Sequence, residues 1–151
     1  MKLTRSKRTT VRGLGHATAA STAAALRATT PEHSRRLALL AARAGLDKKA
    51  MDVEIIDVTG KVDYADYLVL MTGRSDRHVA AIAGAVDDLL AQADSPAISV
   101  EGLPAARWVL IDLVDVVVHV FQEETRVLYD LDGLWMDARR LSVPRSPARP
   151  K

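Results

Sequence analysis

Asp112 and Asp115 are the residues whose type and spacing come nearest to a reactive centre. Paired carboxylates can hold Mg²⁺, and the turn Gly73-Arg74-Ser75, between a strand-like and a helix-like segment, could offer backbone N–H groups to a phosphate. Together they would suit a nucleotide-binding enzyme of the nucleotidyltransferase kind. The spacing opposes that reading. Side chains alternate along a strand, so Asp112 and Asp115 fall on opposite faces if both belong to regular strand. Their plainer role is as two turn residues flanking a hairpin. His16, His33, His78 and His119 show no metal-ligand spacing. The chain has no cysteine, which excludes thiol nucleophiles, disulfides and zinc–thiolate sites. Neither a metal nor a cofactor is called for.

The remaining candidates are binding residues. Trp108 begins a strand beside Arg107. It reads either as a core residue or as an interface anchor, a role for which Trp is favoured. Leu110 and Asp112 share its face in a regular strand, which would give an apolar patch with an acidic rim. Tyr129, Leu131 and Trp135 would either form a second apolar contact surface or fasten the last helical piece to the sheet. Arg77 and His78, after the Ser75 cap, would either bind an anion at a helix N-terminus or remain solvated. His119, alone in a Val-rich strand, reads as a hydrogen-bonded structural histidine. Gly84 weakens its helix by about 1 kcal/mol relative to Ala, which close packing there would explain.

These side chains need elements to hold them. Pro31 opens a helix capped from the Thr29-Thr30 side, with Leu37, Leu40, Ala41 and Ala44 at helical spacing and Gly45 at its end. Asp52–Thr59 reads as a strand followed by a Gly60-Lys61 turn, and Tyr67–Thr72 as a strand buried on both faces. Val79, Ile82, Ala83, Val86, Leu89 and Leu90 make one apolar helical stripe. Ile98–Val100 is a short strand. Trp108–Ile111 and Val116–Phe121 form a hairpin, because four residues cannot make a parallel crossover. Glu123–Arg126 and Tyr129–Met136 are short helical pieces. The result is an α/β (α+β) domain, a mixed β-sheet of about five strands flanked by helices.

Charge divides the 151-residue chain into three parts. Residues 31–143 carry 12 Lys and Arg against all 19 Asp and Glu, a formal charge of −7. Residues 1–30 carry six basic residues and no acidic one, and 144–151 carry three and none. The domain is expected at 31–143, between a disordered basic leader and a disordered basic tail. An acidic body favours a basic partner and disfavours a bare phosphate backbone. RNA contact would then pass only through the tails, since one Phe provides no stacking platform. No apolar run reaches transmembrane length. The leader reads as a solvated tail of a cytoplasmic protein, or alternatively as an organellar transit peptide.

Four segments resemble the ribosomal silencing factor family, also called Iojap-like, over about residues 34–141. They are Asp66-Tyr67-Leu68-Val69-Leu70-Met71-Thr72-Gly73, then Ser75-Asp76-Arg77-His78-Val79, then Trp108–Asp112 with Asp115–Phe121, and last Glu124-Thr125-Arg126 with Tyr129-Asp130-Leu131 and Leu134-Trp135. The resemblance implies a nucleotidyltransferase-like fold without catalysis. It implies a protein that binds large-subunit ribosomal protein fourteen, sterically blocks subunit association and represses translation. Trp108 tips toward partner contact, with Leu110, Asp112, Asp115, Arg77, Tyr129, Leu131 and Trp135 as companions. Two copies could pair through the same surface when free. Two departures stand out: Val114 replaces a usual Gly in the hairpin turn, and Met136-Asp137-Ala138-Arg139 replaces Gly-Asp-Ala-Pro. A Gly at that turn suggests positive φ, which a β-branched residue tolerates badly. Either the turn type differs or Val114 is strained.

Overall fold

The computed structural model describes residues 30–143. The leader up to residue 29 and the tail from 144 lie outside the described residues. Helix α1 spans Pro31–Asp47, with the Thr30 hydroxyl accepting from the His33 N–H and Pro31 in the first turn. Strand β1 follows at Met51–Asp57 and β2 at Tyr67–Gly73. Helix α2 covers Asp76–Gln92, and the Ser75 hydroxyl accepts from the His78 N–H. Then come β3 (Ser99–Glu101), β4 (Trp108–Asp112) and β5 (Val116–Gln122). Two short helices, α3 (Glu123–Tyr129) and α4 (Leu131–Leu134), precede β6 at Arg139–Leu141.

The strands form one mixed sheet in the order β3-β4-β5-β2-β1-β6. Only the central pair, β2 with β5, is parallel, with Tyr67 opposite Val116 and Gly73 opposite Gln122. The expectation of about five strands misses β6, whose three residues pair antiparallel with β1. β2 is buried along its whole length, as its unbroken apolar sequence predicts. The β4–β5 hairpin is present, with Trp108 opposite Phe121 and Asp112 opposite Val117.

Alternation along each strand divides the core in two. On one face, Ile55, Val69, Met71, Val109, Ile111, Val118 and Val120 pack against α1 and α2. The predicted α2 stripe points there, through Val79, Ile82, Ala83, Val86 and Leu90. On the other face, Ile56, Leu68, Leu70, Val117 and Phe121 gather a smaller cluster, closed by Leu131, Trp135 and Ala138 of the C-terminal segment. Each fully buried large side chain stabilises the fold by about 1.5–3 kcal/mol.

Three local expectations are revised. Gly45 lies inside α1, two residues before its end, where a Cβ would overlap Met71 Sδ, so it lets the helix approach β2. Gly84 is exposed, with no atom near enough to require its small size, so close packing does not explain it. Val114 is absent from the positive-φ residues, so the turn here is one that a β-branched residue accepts without strain.

Candidate interaction surface

The helix layer protects one face of the sheet, and the C-terminal segment protects only part of the other. The cross-strand register orders what remains. His119, Leu110 and Glu101 form one row on neighbouring strands, and Val117, Asp112 and Ser99 form the next. Phe121 and Trp108 form a third row at the end where α3 begins.

Trp108 is the centre of that end. Its ring lies 5.1 Å from Phe121, 5.8 Å from His119 and 4.7 Å from Tyr129. It is half-buried rather than exposed, because one side of the indole rests on the sheet. Tyr129, at the end of α3, remains 54% exposed. An apolar hollow of about 280 Å³ lies beside them, between Trp108, Leu110, Gly102 and Ala105. Gly102, at φ 106°, lets its loop pass against the Trp108 backbone, since a Cβ there would overlap the Trp108 carbonyl oxygen. A second groove of about 490 Å³ continues along Leu110, Asp112, Val117 and His119 to the exposed Tyr64 and Ile98.

His119 is a buried polar residue of this face, 7% exposed. Its Nδ1 accepts from Trp108 Nε1 at 3.0 Å, and its ring stacks on Phe121. Burial lowers its pKa to about 4, so the ring is neutral near pH 7. The structural role read from the sequence fits this bond.

Leu131 and Trp135 lie half-buried against the smaller core cluster, where they fasten the C-terminal segment to the sheet. Asp112 lines the open groove beside Leu110. Asp115 sits in the hairpin turn, where its carbonyl accepts from Asp66 N and its carboxylate lies within the electrostatic reach of Asp66 and of His33 on α1. Burial first, and Asp66 next, raise the Asp115 pKa. The two aspartates are thus not gathered into one site. Among the described residues, no three His, Asp or Glu side chains form a metal-sized cluster.

Arg77 is exposed in the first turn of α2, in the helix layer and away from the Trp108 row. His78 departs from both of its predicted roles. Its Nδ1 accepts from Arg74 N at 2.9 Å and its Nε2 donates to the Lys48 carbonyl at 2.7 Å, joining the β2–α2 turn to the end of α1. Both ring nitrogens are occupied within the fold.

Sequence reasoning gave no role to Arg126. It is buried and ties together four segments. Nη1 donates to the Asp52 carbonyl at 2.7 Å and to Thr72 Oγ1 at 2.9 Å, while Nε and Nη2 grip the Asp132 carboxylate at 2.9 and 2.8 Å. The β1 register shifts between Met51 and Glu54, and Asp52 has φ 49° within that irregularity. The Arg126 hydrogen bond holds the Asp132 carboxyl below its ordinary pKa. Arg126 thereby anchors α3, which carries Tyr129.

A family model described as "Ribosomal silencing factor during starvation" matches residues 31–151. The chain belongs to this family. The ribosomal silencing factor of Bacillus subtilis is 47% identical over 102 residues, covering 66% of this chain and 84% of that one. The Zymomonas mobilis member is 40% identical over 89 residues, covering 59% and 67%. A crystal structure of protein CV0518 from Chromobacterium violaceum has TM-score 0.67 and 32% identity, and covers 78% of this chain and 97% of its own. The family thus agrees with the resemblance first read from the four segments. Its solved relative has the same α+β arrangement around a mixed sheet.

Proposed function

We propose that the protein docks on the large ribosomal subunit, covers large-subunit ribosomal protein fourteen and keeps the small subunit from joining, so that translation falls. The carrying observation is the incompletely covered sheet face, with the Trp108 and Tyr129 rings packed at a tilt, 4.7 Å apart, at its end in a chain of this family. Trp108, Leu110 and Tyr129 supply the apolar contact, and Asp112 supplies acidic rim. Leu131 and Trp135 support the Tyr129 segment, and Asp115 shapes the hairpin. Arg77 lies outside this patch and would touch only a partner that wraps around the sheet end. The action is steric and needs no cofactor.

The domain's −7 charge suits a basic ribosomal protein and leaves rRNA to the tails. Two free copies would pair through the same apolar face. Among the described residues, no helix is long and apolar enough to cross a membrane. We place the action in the cytoplasm, with an organelle, reached through residues 1–30, as the alternative. Against the enzyme reading, Asp112 lines the open groove while Asp115 lies by Asp66 and His33.

The test is a titration against purified large-subunit ribosomal protein fourteen, beside sedimentation of joining ribosomes. Trp108→Ala should weaken binding by about 2 kcal/mol or more, in the hot-spot range. It also removes packing on Phe121, so circular dichroism must accompany it. Tyr129→Ala removes a ring that is mostly surface, and should weaken binding with little loss of stability. Unchanged affinity in both folded variants would remove this end from the interface. Tight binding without any loss of joined ribosomes would overturn the steric mechanism.

A further inference from the structure

Trp108 stands at the edge of the open face, where an indole has several staggered orientations to choose among. Phe121 and Tyr129 pack against the ring, and one polar neighbour adds a directional bond that selects among those orientations. The indole has one polar group, a donor, and His119 Nδ1 takes it at 3.0 Å. For Nδ1 to accept, the imidazole proton must sit on Nε2. His119 is itself held: its ring lies 5.7 Å from Phe121 at an interplanar angle of 8°, and Phe121 is fully buried. Burial keeps the imidazole neutral and therefore able to accept.

We propose that His119 is a positioning residue for docking: by taking the Trp108 N–H, it fixes the indole and presents it to the partner as an apolar plane with no free donor. This rests on the docking reading above. It also narrows the chemistry of the contact. A partner group reaches Trp108 through aliphatic, aromatic or cationic contact with the ring. A partner carbonyl aimed at the indole nitrogen finds the proton already used.

The experiment uses the full chain, labelled with ¹⁵N, and isolated large ribosomal subunits. Two indole N–H signals arise, from Trp108 and Trp135, and Trp135→Phe assigns them. His119→Phe retains an aromatic ring over Phe121 but removes the acceptor. His119→Asn places a carboxamide oxygen near the position of Nδ1. Circular dichroism and thermal melting report the fold of each variant.

In the wild type, the Trp108 N–H should exchange with solvent at least about tenfold more slowly than in His119→Phe. Affinity for the subunits should fall about tenfold in His119→Phe, and His119→Asn should regain most of both properties. A merely space-filling histidine predicts the reverse: the Phe variant binds normally and the Asn variant does not. That result would overturn the proposal, as would rapid exchange of the Trp108 N–H in the wild type. Wild-type protein that fails to bind the subunits would sink the docking reading and the docking half of this one, and a persisting exchange contrast would identify that case.

Discussion

His119 and Arg126 are both buried and polar, yet acid acts on His119 directly and on Arg126 only through its partner Asp132. The folded His119 has a pKa near 4, below its ordinary 6.5. Its neutral form supports the fold above pH 6.5, and that support is lost as pH falls from 6.5 toward 4. Stability from urea melts should therefore fall between pH 6.5 and 4 with an added slope of up to about 1.4 kcal/mol per pH unit. His119→Phe should lack that added slope, and equal slopes in both proteins would refute the assignment. Asp132 behaves differently. Its folded pKa is depressed, chiefly by the Arg126 hydrogen bond, so the pair persists until pH falls below the ordinary carboxylate range. Arg126→Met should cost about 3 kcal/mol at pH 7, since it leaves the Thr72 hydroxyl and the Asp52 carbonyl without this donor and removes the Asp132 partner. A loss below about 1 kcal/mol in the same melts would mean that α3 is held mainly by packing. Nothing local in the sequence marks Arg126 as buried, because Thr72 and Asp52 lie 54 and 74 residues away in the chain.

Elements were far more legible than such long-range polar contacts. The α2 stripe, the wholly buried β2 and the β4–β5 hairpin all follow from hydrophobic period and loop length. β6 escaped because Arg139-Arg140-Leu141 has no alternating apolar pattern and becomes a strand only by pairing with β1. Arg140 reinforces that pairing by bonding Glu54 on β1 at 3.0 Å. The glycines of the two long helices offer a direct comparison. Gly84→Ala, at an exposed position of α2, should raise stability by up to about 1 kcal/mol, through helix propensity alone. Gly45→Ala forces Met71 to move and should lower stability by about 1–3 kcal/mol. Thermal melts of both variants decide the matter; a shift of the same sign in both would contradict the packing described for α1. Strand alternation and the family resemblance singled out Trp108, Leu110, Asp112 and Tyr129 as candidates, and the fold places them around one end of the less covered sheet face. The division of labour was not legible, because only the fold shows Leu131 and Trp135 serving as support while Arg77 stands apart.

For the whole molecule, charge and shape make separate contributions to binding. An acidic domain approaching a basic partner is steered over distance, so its association rate should fall as salt rises. The basic leader should matter less. A chain beginning at Thr30 keeps the α1 cap, because the Thr30 hydroxyl still accepts from His33 N. It should lose less affinity for the large subunit than Tyr129→Ala does. A larger loss, together with loss of salt dependence, would transfer the main contact to the leader and to RNA.

The sheet is bounded at both ends by strands of three residues, β3 and β6. Arg139 and Arg140 are exposed on β6, and Gly102 and Pro104 follow β3 directly. Short, charged or interrupted borders give a foreign strand little backbone to copy. Growth by strand addition is therefore discouraged at both borders, while the groove along Leu110 and Asp112 to the exposed Tyr64 and Ile98 remains open to contact. The proposed docking face would thus stay available to its partner without inviting strand-by-strand growth into fibres.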